Sequence, residues 1–356
     1  MSTAPVEPTG TGPAAEPAGT GSAAEPTGTG SAAGPTGTGP AGSGPAAEPT
    51  GTTREVNEAP ETAHGLVGGT RAFLRLVLIE HSVFALPFAY ISALWAMSEA
   101  TGHVNWAKLL IITVAMVGAR TFAMAMNRII DREIDARNPR TQMRELVTGA
   151  VSVRTAYLGA LAALAVFLSA AALLNPLSLV LAPVAVVPLV LYPYGKRFTN
   201  YPHAILGIAQ AIGPIGAWIG VTGQWSWQAT LLGLAVGFWI GGFDLIFACQ
   251  DVAADRVIGV KSVPARFGIA AALRASVVTH VITLGLLVWF GVVADGGAFW
   301  FVGVAVVAGA FWYEHSLVKP DDLSKVNRAF FTTNGFVGIS LFCFALVDLI
   351  VGGLGV

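Results

Sequence analysis

AKLLIITVAMVGARTFAMAMNRIIDREID, residues 107–135, decides how this chain is read. Its apolar part is long enough to cross a bilayer as a helix, which takes about 20 residues at 1.5 Å of rise each. It ends in two acids rather than in a neutral loop. Positions i and i+4 share a helix face, so Asp131 and Asp135 project in one direction. The pattern returns in DLIFACQDVAAD, residues 244–255, where Asp251 and Asp255 close another apolar stretch. Four carboxylates facing one another repel. A hard divalent cation such as Mg²⁺ takes carboxylate and phosphate oxygens alike, so it relieves that repulsion and joins the acids to a polyphosphate. The two pairs read as a Mg²⁺–diphosphate clamp.

The surrounding chain is 54% hydrophobic and 12% charged, with a mean hydropathy of +0.66, which excludes an ordinary soluble domain. Apolar runs at 74–97, 107–130, 155–174, 177–194, 203–222, 227–248, 270–294, 298–317 and 329–352 predict an all-α, polytopic membrane protein of nine transmembrane helices around a central cavity. Basic residues gather in every second connection, for example Arg132 to Arg154 after the second run and Arg256 to Arg274 after the sixth. By the positive-inside rule those loops and the N-terminus are expected to be cytoplasmic, and both acidic motifs to lie at the cytoplasmic surface. The basic residues belong to short loops, so no nucleic-acid surface is expected. Cys249 and Cys343 imply no disulfide framework.

Residues 1–65 are rich in Pro, Thr, Gly, Ala, Ser and Glu and carry a nine-residue repeat beginning at Glu7, Glu16, Glu25 and Gly34. Such a segment buries too little apolar surface to offset its ordering entropy and is expected to be a disordered tail. It lacks the basic start and apolar stretch of a signal peptide. The transmembrane domain is placed at 70–352, and the connections after the second and sixth runs are long enough to cap a site.

Arg120 lies seven residues before Asn127, which in turn is spaced i, i+4 and i+8 with Asp131 and Asp135. That puts an intramembrane arginine about 16 Å from Asp131 along one face. Such a residue is costly in a bilayer and is a functional candidate. One reading is a structural ion pair with an acid such as Glu80 or Glu314. The other is an anchor for the carboxylate of an aromatic substrate, which suits the planar guanidinium fork. Arg137, Arg140, Arg144, Lys196, Arg197, Arg256 and Lys261 can stabilise charge on a departing diphosphate, though basic residues of this kind also serve topology alone.

NRIIDREIDARNPRT (127–141), YPYGKRFT (192–199) and DLIFACQDVAADRVIGVKSVPARFG (244–268) together resemble the UbiA superfamily of intramembrane aromatic prenyltransferases, over about residues 70–352. The resemblance implies Mg²⁺ held through Asn127, Asp131, Asp135, Asp251 and Asp255. It implies catalytic roles for Asp131, Asp251, Asp244 and Lys261, and substrate contacts from Arg120, Asn127, Arg137, Tyr192 and Lys196. The substrates it implies are a polyprenyl diphosphate, whose chain lies in the lipid bilayer, and a small aromatic acid. IEHSVFALPFAY (79–90) and KVNRAFFTTN (325–334) resemble the 4-hydroxybenzoate-type branch, including the enzyme of the futalosine route to menaquinone. Arginine outnumbers lysine fifteen to five, a bias that suggests a GC-rich genome such as an actinobacterium's, and so a bacterial cell membrane in which menaquinone is the expected quinone. That favours a dihydroxynaphthoate acceptor, with 4-hydroxybenzoate as the alternative. A secondary transporter is the rival from another class, because paired halves and intramembrane charges also occur there. Acids paired at one membrane face argue against alternating access.

Overall fold

A computed structural model describes residues 82–355; the predicted tail at 1–65 and the beginning of the first span lie outside the described residues. The long helices are α1 (Ser82–Thr101), α2 (Trp106–Asp135), α4 (Val153–Leu174), α5 (Pro176–Phe198), α6 (Pro202–Thr222), α7 (Trp227–Ala248), α10 (Ile269–Val293), α11 (Ala298–Leu317) and α12 (Asn334–Val351). Short helices α3 (Glu145–Thr148), α8 (Val252–Ile258) and α9 (Val263–Phe267) fill the two long connections. Among the described residues, eight helical segments are long and apolar enough to cross a membrane, and α1, a further helix of 20 residues, lies at the predicted first span. The protein is a multi-pass helical membrane protein.

Local chemistry sets the helix boundaries. Asn105, Ser152, Asn175 and Ser226 each accept a hydrogen bond from a backbone N–H three residues on, satisfying a donor the helix start leaves open. Pro176 and Pro202 open α5 and α6, where a missing N–H costs nothing. Helices adjacent along the chain pack against one another, α6 also packs on α1, and α12 returns against α1 to close the series. Leu110, Val114 and Val117 form an exposed ridge along α2, as a lipid-facing surface requires.

The tightest contact lies between α6 and α7, whose backbones meet through small residues. A Cβ on Gly207 would sit 2.5 Å from the Gly237 carbonyl oxygen, one on Gly237 2.8 Å from the Gly207 oxygen, and one on Gly233 2.5 Å from the Ala211 oxygen. Spaced i and i+4 on each helix, these residues allow the close approach that drives association in lipid, where burial against water drives nothing. At the far end from the acidic motifs, Asp348 of α12 accepts from the N–H groups of Gly297 (2.7 Å) and Trp300 (3.2 Å) and so caps the start of α11.

Both long connections fold back over one end of the bundle. Asn138 and Arg140, after α2, reach Asp251, after α7. The Lys261 N–H donates 2.8 Å to the Lys196 carbonyl at the end of α5. The expected cap is therefore a clasp of two loops.

Candidate active site

Asp131 and Asp135 lie on the buried face of the last turns of α2, 1% and 3% exposed. Carboxylates so buried have to be compensated. Lys196 Nζ stands 2.6 Å from Asp131 Oδ2, Arg197 Nη1 3.2 Å from its Oδ1, and Arg144 Nη1 donates to both oxygens of Asp135 at 2.6 Å. Asp251 takes a two-pronged bond from Arg140, 2.9 Å from Nε and 2.6 Å from Nη2, plus 3.2 Å from Asn138 Nδ2. Burial pulls the Arg140 guanidinium down, but its hydrogen bond and charge contact with Asp251, helped by Asp135 and Asp255, leave it raised overall. Asp255 accepts from Ser262 Oγ at 3.1 Å.

The second pair departs from the expected single helix. α7 ends at Ala248, a 3₁₀ turn runs Cys249–Asp251, and Asp255 belongs to α8, which Gly259 ends at φ 85°. The break turns the chain across the mouth of the bundle, yet both acids still face the site.

All four aspartates, with Asn127, Asp244, Tyr192, Lys196 and Lys261, line one polar cavity of about 400 Å³. A second, mostly apolar cavity of about 280 Å³ runs between α2, α4, α5 and α6, and Arg120 and Gln210 line both. Arg120 thus stands where polar and apolar spaces meet. Among the described residues its Nε is buried without a hydrogen-bond partner; of the two expected acids, Glu314 bonds Asn334 instead and Glu80 lies outside the described residues. Arg128 Nε, on the wall of the polar cavity, is equally unspent. Buried donors without partners are costly, and an anionic ligand would satisfy them.

Two predicted basic residues are placed elsewhere: Arg256 is exposed, its Nε donates 3.1 Å to the Ala265 carbonyl, and it is not on the cavity wall. Arg137 is exposed, its Nε donates 3.3 Å back to the Glu133 carbonyl, and it is not on the cavity wall. The loop's turn at Asn138 directs Arg140 and Arg144 inward in its place. The sequence reading missed the partner of Asp244, His203, whose Nδ1 lies 2.6 Å from Oδ2 and whose Nε2 is buried without a partner. It also missed Gln210 and Ser262, single polar residues whose direction only the folded helices reveal.

A multi-pass helical bundle with an acid- and base-lined chamber abutting an apolar one defines the class as integral membrane proteins with a two-part internal cavity. Comparison with known proteins narrows it. The UbiA prenyltransferase family matches residues 85–336. A 4-hydroxybenzoate octaprenyltransferase from Aromatoleum aromaticum is 31% identical over 279 residues, covering 78% of this chain and 94% of its own. The apo structure of a UbiA homolog from Aeropyrum pernix K1 superposes with a TM-score of 0.69 at 33% identity, covering 76% of this chain and 99% of that one. A UbiA homolog from Archaeoglobus fulgidus bound to GPP and Mg²⁺ shares the fold at TM-score 0.62 and 20% identity, over 78% of this chain and 99% of its own. The chain belongs to the UbiA prenyltransferase family, and it is a membrane prenyltransferase. The transporter reading gives way to this membership.

Proposed function

We propose that this protein transfers a polyprenyl group from an allylic diphosphate to the ring of 4-hydroxybenzoate, with Mg²⁺ as cofactor. The observation that carries the reading is Arg120, whose buried Nε has no hydrogen-bond partner among the described residues, at the junction of the polar and apolar cavities. A small aromatic carboxylate satisfies it there, with its ring beside the apolar space that takes a prenyl chain. The first expectation, a dihydroxynaphthoate for menaquinone, rested on base composition, whereas the relatives matched over nearly their whole length act on 4-hydroxybenzoate by name.

The residues fit Mg²⁺: four carboxylates and the Asn127 amide offer hard oxygen donors around one chamber. Bound there, it would act as a Lewis acid on the diphosphate. Lys196, Arg197, Arg140 and Arg144, which hold the aspartates, become available to phosphate oxygens once the acids take another partner. Lys261 adds positive charge at the rim. When the allylic C–O bond breaks, its electron pair leaves with the diphosphate and these basic groups stabilise the growing charge. A ring carbon of the acceptor then bonds the allylic carbon, and the ring proton is lost. His203, paired with Asp244 on the chamber wall, would hydrogen-bond the acceptor's hydroxyl. The two-loop clasp would keep water from the allylic cation, and the excess of basic residues in alternate loops supports a cytoplasmic position for the chamber in a bacterial membrane.

The test supplies membranes containing the protein with a prenyl diphosphate, Mg²⁺ and a panel of aromatic acids, and identifies products by mass spectrometry. Prenylated 4-hydroxybenzoate is expected as the main product. Prenylated naphthoate alone would overturn the acceptor assignment, and absence of any prenylated aromatic would overturn the reaction.

A further inference from the structure

Between α10 and α11, off the chamber's lining, three potential metal ligands converge: His280 of α10 with Glu314 and His315 of α11. Their donor atoms lie within 4.8 Å of one another, His280 Nδ1 being 3.0 Å from His315 Nε2 and 3.5 Å from Glu314 Oε2. Glu314 is 0% and His280 2% exposed, and His315 is half-buried. None of the three lines the polar chamber.

The surroundings fix which atoms are free. His280 Nε2 lies 3.3 Å from the Trp239 carbonyl oxygen, which can only accept, so Nε2 carries the ring proton and Nδ1 presents a lone pair. Trp239 Nε1 donates 2.7 Å to Asn334 Oδ1, which orients that amide so that its Nδ2 donates 2.9 Å to Glu314 Oε1. One carboxylate oxygen is thereby tied, and the other, Oε2, is buried without a hydrogen bond. An unspent oxygen and an imidazole lone pair face each other across 3.5 Å. Metal-bound histidines are commonly held in this way, with the far nitrogen donating to a carbonyl and the ligating carboxylate bonded in turn. Phe311 stacks on His280 at 4.2 Å, fixing the ring plane.

We propose that His280, Glu314 and His315 form a second metal site, distinct from the aspartate chamber, for a borderline divalent ion of the Zn²⁺ kind. Two imidazole nitrogens and one carboxylate oxygen suit Zn²⁺, at about 2.0–2.2 Å from each donor, and suit the oxygen-preferring Mg²⁺ poorly. Binding requires His315 to shift its proton from Nε2 to Nδ1, after which both imidazoles remain neutral. The half-buried His315 marks the side of entry. The site's position gives it a structural role. Asn334, its neighbour, also bonds the carbonyls of Ala329 and Phe330 in the π-helical turn Arg328–Thr333. Phe330 and Phe331 of that turn form part of the chamber wall. A bound ion would thus pin α10 and α11 to the turn that shapes the chamber.

The test uses full-length protein carrying no polyhistidine tag, stripped with chelator and loaded with Co²⁺ or Zn²⁺ in the presence of excess Mg²⁺. Expected are one tightly held equivalent, visible d–d absorption for Co²⁺ with intensity typical of tetrahedral nitrogen and oxygen ligation, and a Zn²⁺-dependent rise in melting temperature. The Asp131→Asn/Asp251→Asn double variant should keep all three. Glu314→Gln, of nearly equal shape, and His315→Gln should lose the equivalent and the Zn²⁺-dependent rise. Wild-type protein that retains no Co²⁺ or Zn²⁺, as a site holding only a proton would, overturns the proposal without reference to any variant. Retention by Glu314→Gln and His315→Gln, or loss in the aspartate variant, overturns it as well.

Discussion

Arg120 is the residue on which acceptor recognition turns. If it reads a ring carboxylate, Arg120→Leu should raise the acceptor KM or lower kcat/KM while leaving affinity for the prenyl diphosphate similar. A charge-assisted hydrogen bond is worth roughly 1.5–3 kcal/mol, so the effect should be about 10- to 150-fold at 1.4 kcal/mol per decade. Kinetics with 4-hydroxybenzoate and with phenol separate the accounts: equal use of both by the unaltered enzyme would remove the carboxylate role. Residues were legible in the sequence where cost advertised them. An arginine in a span and acids at its end are expensive, so Arg120, Asp131 and Asp251 stood out. Arg137 and Arg140 could not be told apart, because which arginine turns inward depends on the bend at Asn138. His280 and His315 carry no signal in the sequence and Glu314 offered itself only as a partner for Arg120, because their convergence depends on α10 and α11 lying side by side.

At the scale of elements, long apolar runs between loops set the helix limits, and α7, predicted at 227–248, is found at Trp227–Ala248. The helix break at Ala248 was hidden, because CQDVAAD contains no proline or glycine to announce it. The face by which α7 meets α6 was equally hidden, since glycines recur throughout the chain. That contact yields a sharp expectation. Gly237→Val should force the two helices apart, at a cost of about 1–3 kcal/mol typical of overpacking, and lower the thermal midpoint in detergent. Gly216→Val, with open space around its Cβ position, serves as the control. An equal loss in both would show that close approach is not what the α6–α7 contact requires.

For the whole molecule, the family match begins at residue 85, beyond the repeat segment, and 78% of this chain covers 94% of the Aromatoleum relative. Deletion of residues 2–60 should therefore leave turnover per inserted molecule within about twofold, as a segment that adds no packing would. A correctly inserted truncation without activity would assign the repeats a direct part. The chamber's charge pairing reaches further. Each aspartate of the first motif and Asp251 already holds a protein cation, so ligand entry is an ion exchange. Mg²⁺ arriving alone would strand Lys196 and three arginines without counter-ions, and diphosphate arriving alone would meet the carboxylates. Together they trade partners with little net charge moved. Mg²⁺ should then bind weakly to the protein by itself and at least tenfold more tightly with a diphosphate present, with reciprocity in the other direction. Calorimetric titration of each in the presence and absence of the other measures this directly, and independent affinities would contradict it. A chamber that charges only when both halves of its cargo are present has a low tendency to hold stray metal or stray phosphate between turnovers.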